Sequence, residues 1–446
     1  MDTNIKPIVS AQLPLSTNLQ RRFVRQIDSG ETYQALFDTV KHMAWDLTNQ
    51  HAVLPSSILS AFNSSYQSNE MLLLMHSIPR PVLRSLAMRM MGFDFWKRDD
   101  DERKTWLYAI EGPGTYVVSM AIYNREGRMW TGSEFLDLIG HLETYASAVD
   151  AIEIRGDSYG NSQLSADDFK ALYVARDIDG QYLTSGQNET QDNGSEASVI
   201  EEFSLPRFAS SDRKNQSRNI KLLLETMRGL TITEPDISWL QSFTIVGNAE
   251  DVMRRVQDHR FLSSLSKTPK LWGLVGSCLK YMDLESQAVI VPICKAWKTE
   301  HINLGEILIT VIAGSLVSRG GLNVYRPGTR SEKTAPSQRE LDECRRLVLS
   351  KPWYMDNIRA STYTTRHMKG VQEYSADDHD IKKLEEELVA DKEWFNQVHS
   401  WKDKIEQALD DHSDICDSAE KGIARIQEEM ADVDGQEDLL SALRFQ

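Results

Sequence analysis

Between Ile302 and Val317 the chain reads INLGEILITVIAGSLV, interrupted by a single charge at Glu306. A segment apolar on every side must be covered by other elements, so this one predicts a buried helix with a domain built around it. Its longest uncharged run, Ile307–Ser318, is twelve residues, short of the ~20 that cross a bilayer, and no membrane span is expected. The helix leads into Arg319-Gly320-Gly321 and, four residues on, Tyr325-Arg326-Pro327-Gly328-Thr329-Arg330. Glycines admit a close main-chain approach, guanidiniums meet phosphate, and a tyrosine offers a stacking face, which together suit a nucleic-acid backbone. The structural alternative is a Gly-Gly helix stop and a Pro-Gly turn with solvated arginines.

That reading must survive the chain's net charge of −16. The charge is uneven: residues 377–446 hold 21 acidic and 8 basic side chains, a net of −13, which leaves −3 for residues 1–376. A nearly neutral body can still present a basic groove. With 446 residues and 41% hydrophobic content, two or three core-forming units are expected. The start, MDTNIKPIVSAQLPL, lacks a basic segment followed by an apolar one, and Cys278, Cys294, Cys344 and Cys416 lack CxxC or CxH spacing. A cytosolic or nuclear address, reduced thiols, no metal and no cofactor are the expectations.

Along the chain, residues 1–17 read as an extended N-terminal arm. Tyr33, Leu36, Phe37, Val40, Met43, Ala44 and Leu47 recur at helical spacing, and Ser56–Phe62, Glu70–Ser77 and Pro81–Met91 read as further helices. From Thr105 to Trp130, β-branched and aromatic runs alternate with the EGPG and NREG turns, which predicts a small antiparallel meander. Ser133 is expected to cap a helix ending near Val149, Ala151–Ile154 reads as a strand, and Ser165 with Asp168 has capping-box spacing for another helix. Residues 183–217 are polar enough for a mobile linker, and 219–317 read as helical, with stops at glycines and prolines. The expected architecture is mainly α: an N-terminal lobe over 18–210 carrying the meander, a C-terminal lobe over 218–376, and an acidic helical tail over 377–446.

In that tail, Ile381 to Val433 fits a seven-residue template in which thirteen of the sixteen a and d positions are apolar. This favours a coiled coil or a helical hairpin, within one molecule or between copies.

Enzymatic motifs do not find their contexts. Gly156-Asp157-Ser158-Tyr159-Gly160 matches G-x-S-x-G but lacks the surrounding parallel βαβ series. Asp177-Ile178-Asp179-Gly180 lacks carboxylates at the first and twelfth calcium-loop positions and reads as a turn. No HExxH, P-loop or GxGxxG occurs, so no enzyme is expected. Basic clusters remain as binding candidates: Arg207, Arg213, Lys214, Arg218 and Lys221 at the lobe junction, and Arg254, Arg255 and Arg260 on a helix with an apolar side. With Arg319, Tyr325, Arg326 and Arg330 they can line one cleft.

Over Leu271–Arg346, about 75 residues, the order WGLVGSCLKYMDLESQAVIVPICKAW, apolar helix, GGLNVYRPGTR and SQRELDECRRL resembles the C-terminal lobe of nucleoproteins from nonsegmented negative-strand RNA viruses. The resemblance implies a two-lobed helical protein that polymerises as a homo-oligomer on single-stranded genomic RNA, clamping the backbone between its lobes without reading sequence. Tyr325 and Arg326 match the RNA-contacting pair, and Arg254-Arg255 the paired arginines of a hinge helix. The resemblance further implies that residues 1–17 dock on a neighbouring subunit, that the tail recruits a viral phosphoprotein and its polymerase or shields the groove, and that the protein resides in virions and host cytoplasm, with the nucleus as a second address. A capsid or scaffold protein that assembles through its heptad tail, without RNA specificity, is the rival expectation.

Overall fold

The computed structural model describes residues 13–49, 56–96, 105–157, 164–181, 206–209, 217–230, 232, 234–253, 269–324, 327–328 and 335–361, with positions 400, 418, 421, 422 and 425 of the tail. The chain divides into two compact units, Met1–Thr365 and Arg366–Gln446. Of the described residues 61% are helical, alongside one three-stranded antiparallel sheet, which makes the class mainly α.

Among the described residues, the helices with defined bounds ahead of the first strand are α1 (Asn18–Asp28), α2 (Tyr33–Asn49), α3 (Ser56–Asn63), α4 (Ser65–His76), α5 (Arg80–Ala87) and α6 (Met91–Phe95). β1 (Gly114–Ile122) is followed by α7 (Gly132–Asp157), α8 (Ala166–Gly180), α9 (Arg218–Arg228), β2 (Thr244–Ala249), α10 (Lys270–Tyr281), β3 (Ser286–Lys295), α11 (Thr299–Ala313) and α12 (Gln338–Leu349). Residues 352–361 are also helical.

Local chemistry accounts for several boundaries. Thr17 opens α1 with a capping box: Gln20 N–H donates to Thr17 Oγ1 at 3.2 Å and Thr17 N–H to Gln20 Oε1 at 3.0 Å. Ser165 and Asp168 form the box expected from their spacing. The seven apolar positions predicted for α2 are all buried. α7 differs from expectation at both ends. Its capping side chain is Thr131, which accepts from Glu134 N–H at 3.3 Å, and the helix continues to Asp157 through the expected strand Ala151–Ile154. Asp177–Gly180 is the last turn of α8 rather than a free turn, and the Asp179 carboxylate accepts from Tyr145 Oη–H at 2.7 Å and Arg207 N–H at 3.0 Å.

The expected local meander is corrected by the sheet. β1 is its central strand and pairs with β2 and β3, so its neighbours lie far along the chain, in the region read as helical. The left-handed glycines Gly112 and Gly127 supply turns at EGPG and NREG, but Arg128–Trp130 forms no strand, and Trp130 enters the core instead. The reason lies in β1 itself. Val117 and Ala121 face one apolar cluster, with α1–α6 and α11; Tyr116, Val118, Met120 and Ile122 face the other, with α7–α10. A strand buried on both faces occupies the middle of a sheet. Pro292, lacking a donor, sits on edge strand β3 beside the register shift opposite Thr115 and Tyr116. Residues on both sides of position 210 thus share one sheet. Of the predicted linker 183–217, only 206–209 and Ser217 are described, and Phe208 is buried against Gly273.

α11 is the buried helix predicted from its composition. At Gly305 an added Cβ would stand 2.5 Å from Thr115 Oγ1, so glycine permits the close approach of this helix to β1.

Candidate nucleic-acid interface

The arginine-bearing segment after α11 closes an edge of the sheet. Gly314 ends the helix in the left-handed conformation, φ 57°, and Val317–Arg319 forms a 3-10 turn ended by Gly320, φ 74°. Leu322 N–H then donates to Thr244 O at 3.0 Å. The Asn323 side chain accepts from Val246 N–H and donates to Val246 O, both at 2.8 Å. Asn323 satisfies the outer edge of β2 as a further strand would. Downstream, Gly328 N–H donates to Glu306 Oε2 at 2.8 Å, and Asn248 Nδ2 donates to the same oxygen at 3.0 Å. Hydrogen-bonded anchors on β2 and on the Glu306 side chain of α11 therefore flank Tyr325 and Arg326 in the sequence. Those two residues and Arg330 lie outside the described residues, as do Arg254, Arg255 and Arg260.

Four of the predicted binding residues are described. Arg207 is half-buried, and its N–H donates to Asp179 Oδ2 at 3.0 Å. Arg319 is largely covered, and its guanidinium pairs with Asp46 of α2. Lys221 pairs with Asp150 at 2.7 Å on a mostly solvated surface, an arrangement worth at most ~1 kcal/mol that exchanges readily. Arg218 is exposed at the start of α9, whose opposite side buries Ile220, Leu223, Leu224 and Met227. α9 packs against the Arg319 turn, with Thr226 Oγ1 donating to Val317 O at 3.3 Å. The structure thus brings the helix of Arg218 and Lys221 to the turn of Arg319, with Arg218 about 12 Å up the helix axis from that contact.

Sequence reasoning missed a basic face. Arg21, Arg22 and Arg25 are exposed on α1, opposite buried Phe23, Val24 and Ile27, and make no ion pair among the described residues. The signal was present as Arg-Arg-x-x-Arg on an amphipathic helix. Trp45 is exposed on α2, which packs beside α1. Leu13 and Leu15 of the expected arm are buried, and Leu15 N–H donates to Gln241 Oε1 at 2.6 Å.

Among the described residues no three His, Cys, Asp or Glu side chains converge as a metal site, and no helix is long and apolar enough to cross a membrane. Comparison with known proteins returned no matching family model, no matching curated protein and no matching solved structure.

Proposed function

We propose that this chain is a nucleoprotein that polymerises on single-stranded RNA and encapsidates it by sequence-independent contacts to the sugar-phosphate backbone. The observation that carries the reading is the anchoring of the segment around Tyr325 and Arg326. Asn323 is tied to β2 and Gly328 to Glu306 of α11, on a helix buried in the core. Anchoring a binding segment at both ends lowers the ordering cost of each contact it makes. The exposed arginines of α1, together with Arg218 at the head of α9, supply further cations of the kind that displace counterions from a polynucleotide. The viral setting, the phosphoprotein and polymerase partners and the location in virions and host cytoplasm belong to this proposal through the sequence resemblance.

Purified full-length protein is expected to carry cellular RNA, with the absorbance ratio of a nucleic-acid complex, and to form rings or filaments that ribonuclease alters in electron micrographs. RNA-free monomers that fail to retain single-stranded RNA at low salt would overturn the proposal. Removal of residues 377–446 should leave RNA-bound oligomers; a truncated protein that no longer assembles, from a parent free of RNA, would support a tail-driven scaffold instead.

A further inference from the structure

Residues 352–361, the helix after α12, lay one face on the C-terminal end of α4. Trp353, Asn357 and Ser361 stand four residues apart, so their side chains share that face. Trp353 Nε1–H donates to Ser77 O at 3.2 Å, and Asn357 Nδ2 donates to His76 O at 2.9 Å and to Tyr33 Oη at 2.8 Å. These donors take up carbonyls that a helix end leaves without intrahelical partners. Beside them Tyr354 is buried with Tyr108 and Val348, and Ile358 packs against that cluster.

Ser361 completes the stripe. Its Oγ lies 3.0 Å from His76 Nε2, and His76 Nδ1 lies 2.7 Å from Leu72 O. A carbonyl only accepts, so Nδ1 carries the hydrogen and Nε2 takes one from the Ser361 hydroxyl. That pattern requires a neutral ring. Burial holds His76 uncharged down to about 4, against the Leu72 carbonyl, which favours the proton.

The surroundings offer an added proton no counter-charge. Among the described residues no carboxylate acts on this ring. It stacks on Tyr33 of α2 at 5.1 Å, and beyond Tyr33 stands a cation, the Arg80 guanidinium of α5, 5.1 Å from that ring. Tyr108 donates to Ser77 O, and the charged side chains Asp356 and Arg359 of the helix itself are exposed and pair with each other at 3.6 Å. A proton on Nε2 would also confront the Ser361 hydroxyl hydrogen, which must turn away. His301 reaches the same helix through Trp297 and Tyr354, but its Nε2 lies 2.7 Å from the Glu70 carboxylate, which offsets an added charge and also holds Lys298 at 2.8 Å.

We propose that residues 352–361 form an acid-released strap, docked on α4 while His76 is neutral and detached once His76 is protonated, with the rest of the unit Met1–Thr365 still folded. Docked, the ring excludes the proton; detached, it titrates near its ordinary ~6.5. Docking is therefore fully supported above about pH 6.5 and loses that support as pH falls toward 4. Thr365 ends this unit, so release frees the stretch through which the chain leaves it. The strap stands whether or not the chain binds RNA.

The test is hydrogen exchange of the full chain between about pH 7.5 and 4.5, corrected for the intrinsic rate at each pH. Amides of residues 354–361 are expected to lose protection about 30- to 100-fold over that range, while those of β1 and α11 keep theirs. His76→Gln should abolish the pH dependence. Should that variant lose the strap at every pH, Ser361→Ala decides: it removes the strap's own bond to the ring and should raise the release midpoint by about half a pH unit. Equal protection at both ends of the range overturns the proposal, as does loss shared with β1 and α11, which is global unfolding. So does a pH dependence that survives in His76→Gln, or a midpoint that Ser361→Ala leaves unmoved.

Discussion

Replacing Asn323 with alanine tests whether the segment after α11 holds the sheet edge or merely lies beside it. The side chain makes two 2.8 Å hydrogen bonds to the main chain of Val246, a residue 1% exposed. Alanine removes both partners and leaves a buried N–H and a buried C=O, each costing about 1–3 kcal/mol when orphaned. The expected loss is therefore about 2–5 kcal/mol. For the unit Met1–Thr365, an unfolding entropy of about 2.1 cal/mol/K per residue converts each kcal/mol to about 1.3 °C, so Tm should fall by about 3–6 °C in calorimetry. Asn323→Asp keeps the acceptor for Val246 N–H but sets a carboxylate against the Val246 carbonyl. It should be at least as damaging as alanine at neutral pH and recover as acid restores a donor. A Tm within 1 °C of the parent for the alanine variant, or an aspartate variant that behaves like the parent at neutral pH, would refute the reasoning.

Three further outcomes are expected. Burial lowers the His76 pKa to about 4; since the unfolded side chain titrates near 6.5, this contribution is fully present above about 6.5 and is lost as pH falls toward 4, by about 3 kcal/mol. Denaturant midpoints across that range should show the loss, and His76→Gln should flatten it; a slope unchanged in the variant would assign it elsewhere. Gly305→Ala should destabilise by about 1–3 kcal/mol through its contact with Thr115 Oγ1, and Thr115→Ala in the same chain should recover part of that loss; additive effects in the double mutant would exclude the clash. If α1 contacts RNA, changing Arg21, Arg22 and Arg25 together to alanine should make the slope of log affinity against log salt shallower by about 2, at about 0.7 per phosphate contact. An unchanged slope would remove α1 from the interface.

What the sequence disclosed followed from how local the cause was. The buried side of α2, the capping box at Ser165 and the covered helix α11 each arise within one or two turns, and all were legible. β3 was not: QAVIVPIC is a continuous apolar run whose period cannot separate a strand from a buried helix, and its Pro292 read as a helix stop although it sits on a sheet edge. The site shows the same division. Arg319 was visible as a basic residue beside glycines, but its partner Asp46 lies 273 positions away.

The place of β1 between two cores also bears on how the chain is made. Its last residue is Ile122, yet its partner β3 is complete only at Lys295, so at 5–20 residues per second a ribosome works for roughly ten to thirty-five seconds before the second neighbour emerges. During that interval a nine-residue strand, apolar on both sides, has neither of its eventual neighbours complete until β2 ends at Ala249. Pairing across such spans folds slowly. Nascent chains halted between these points should engage chaperones through Gly114–Ile122, and the window for aggregation in the cell closes only after translation has passed β3.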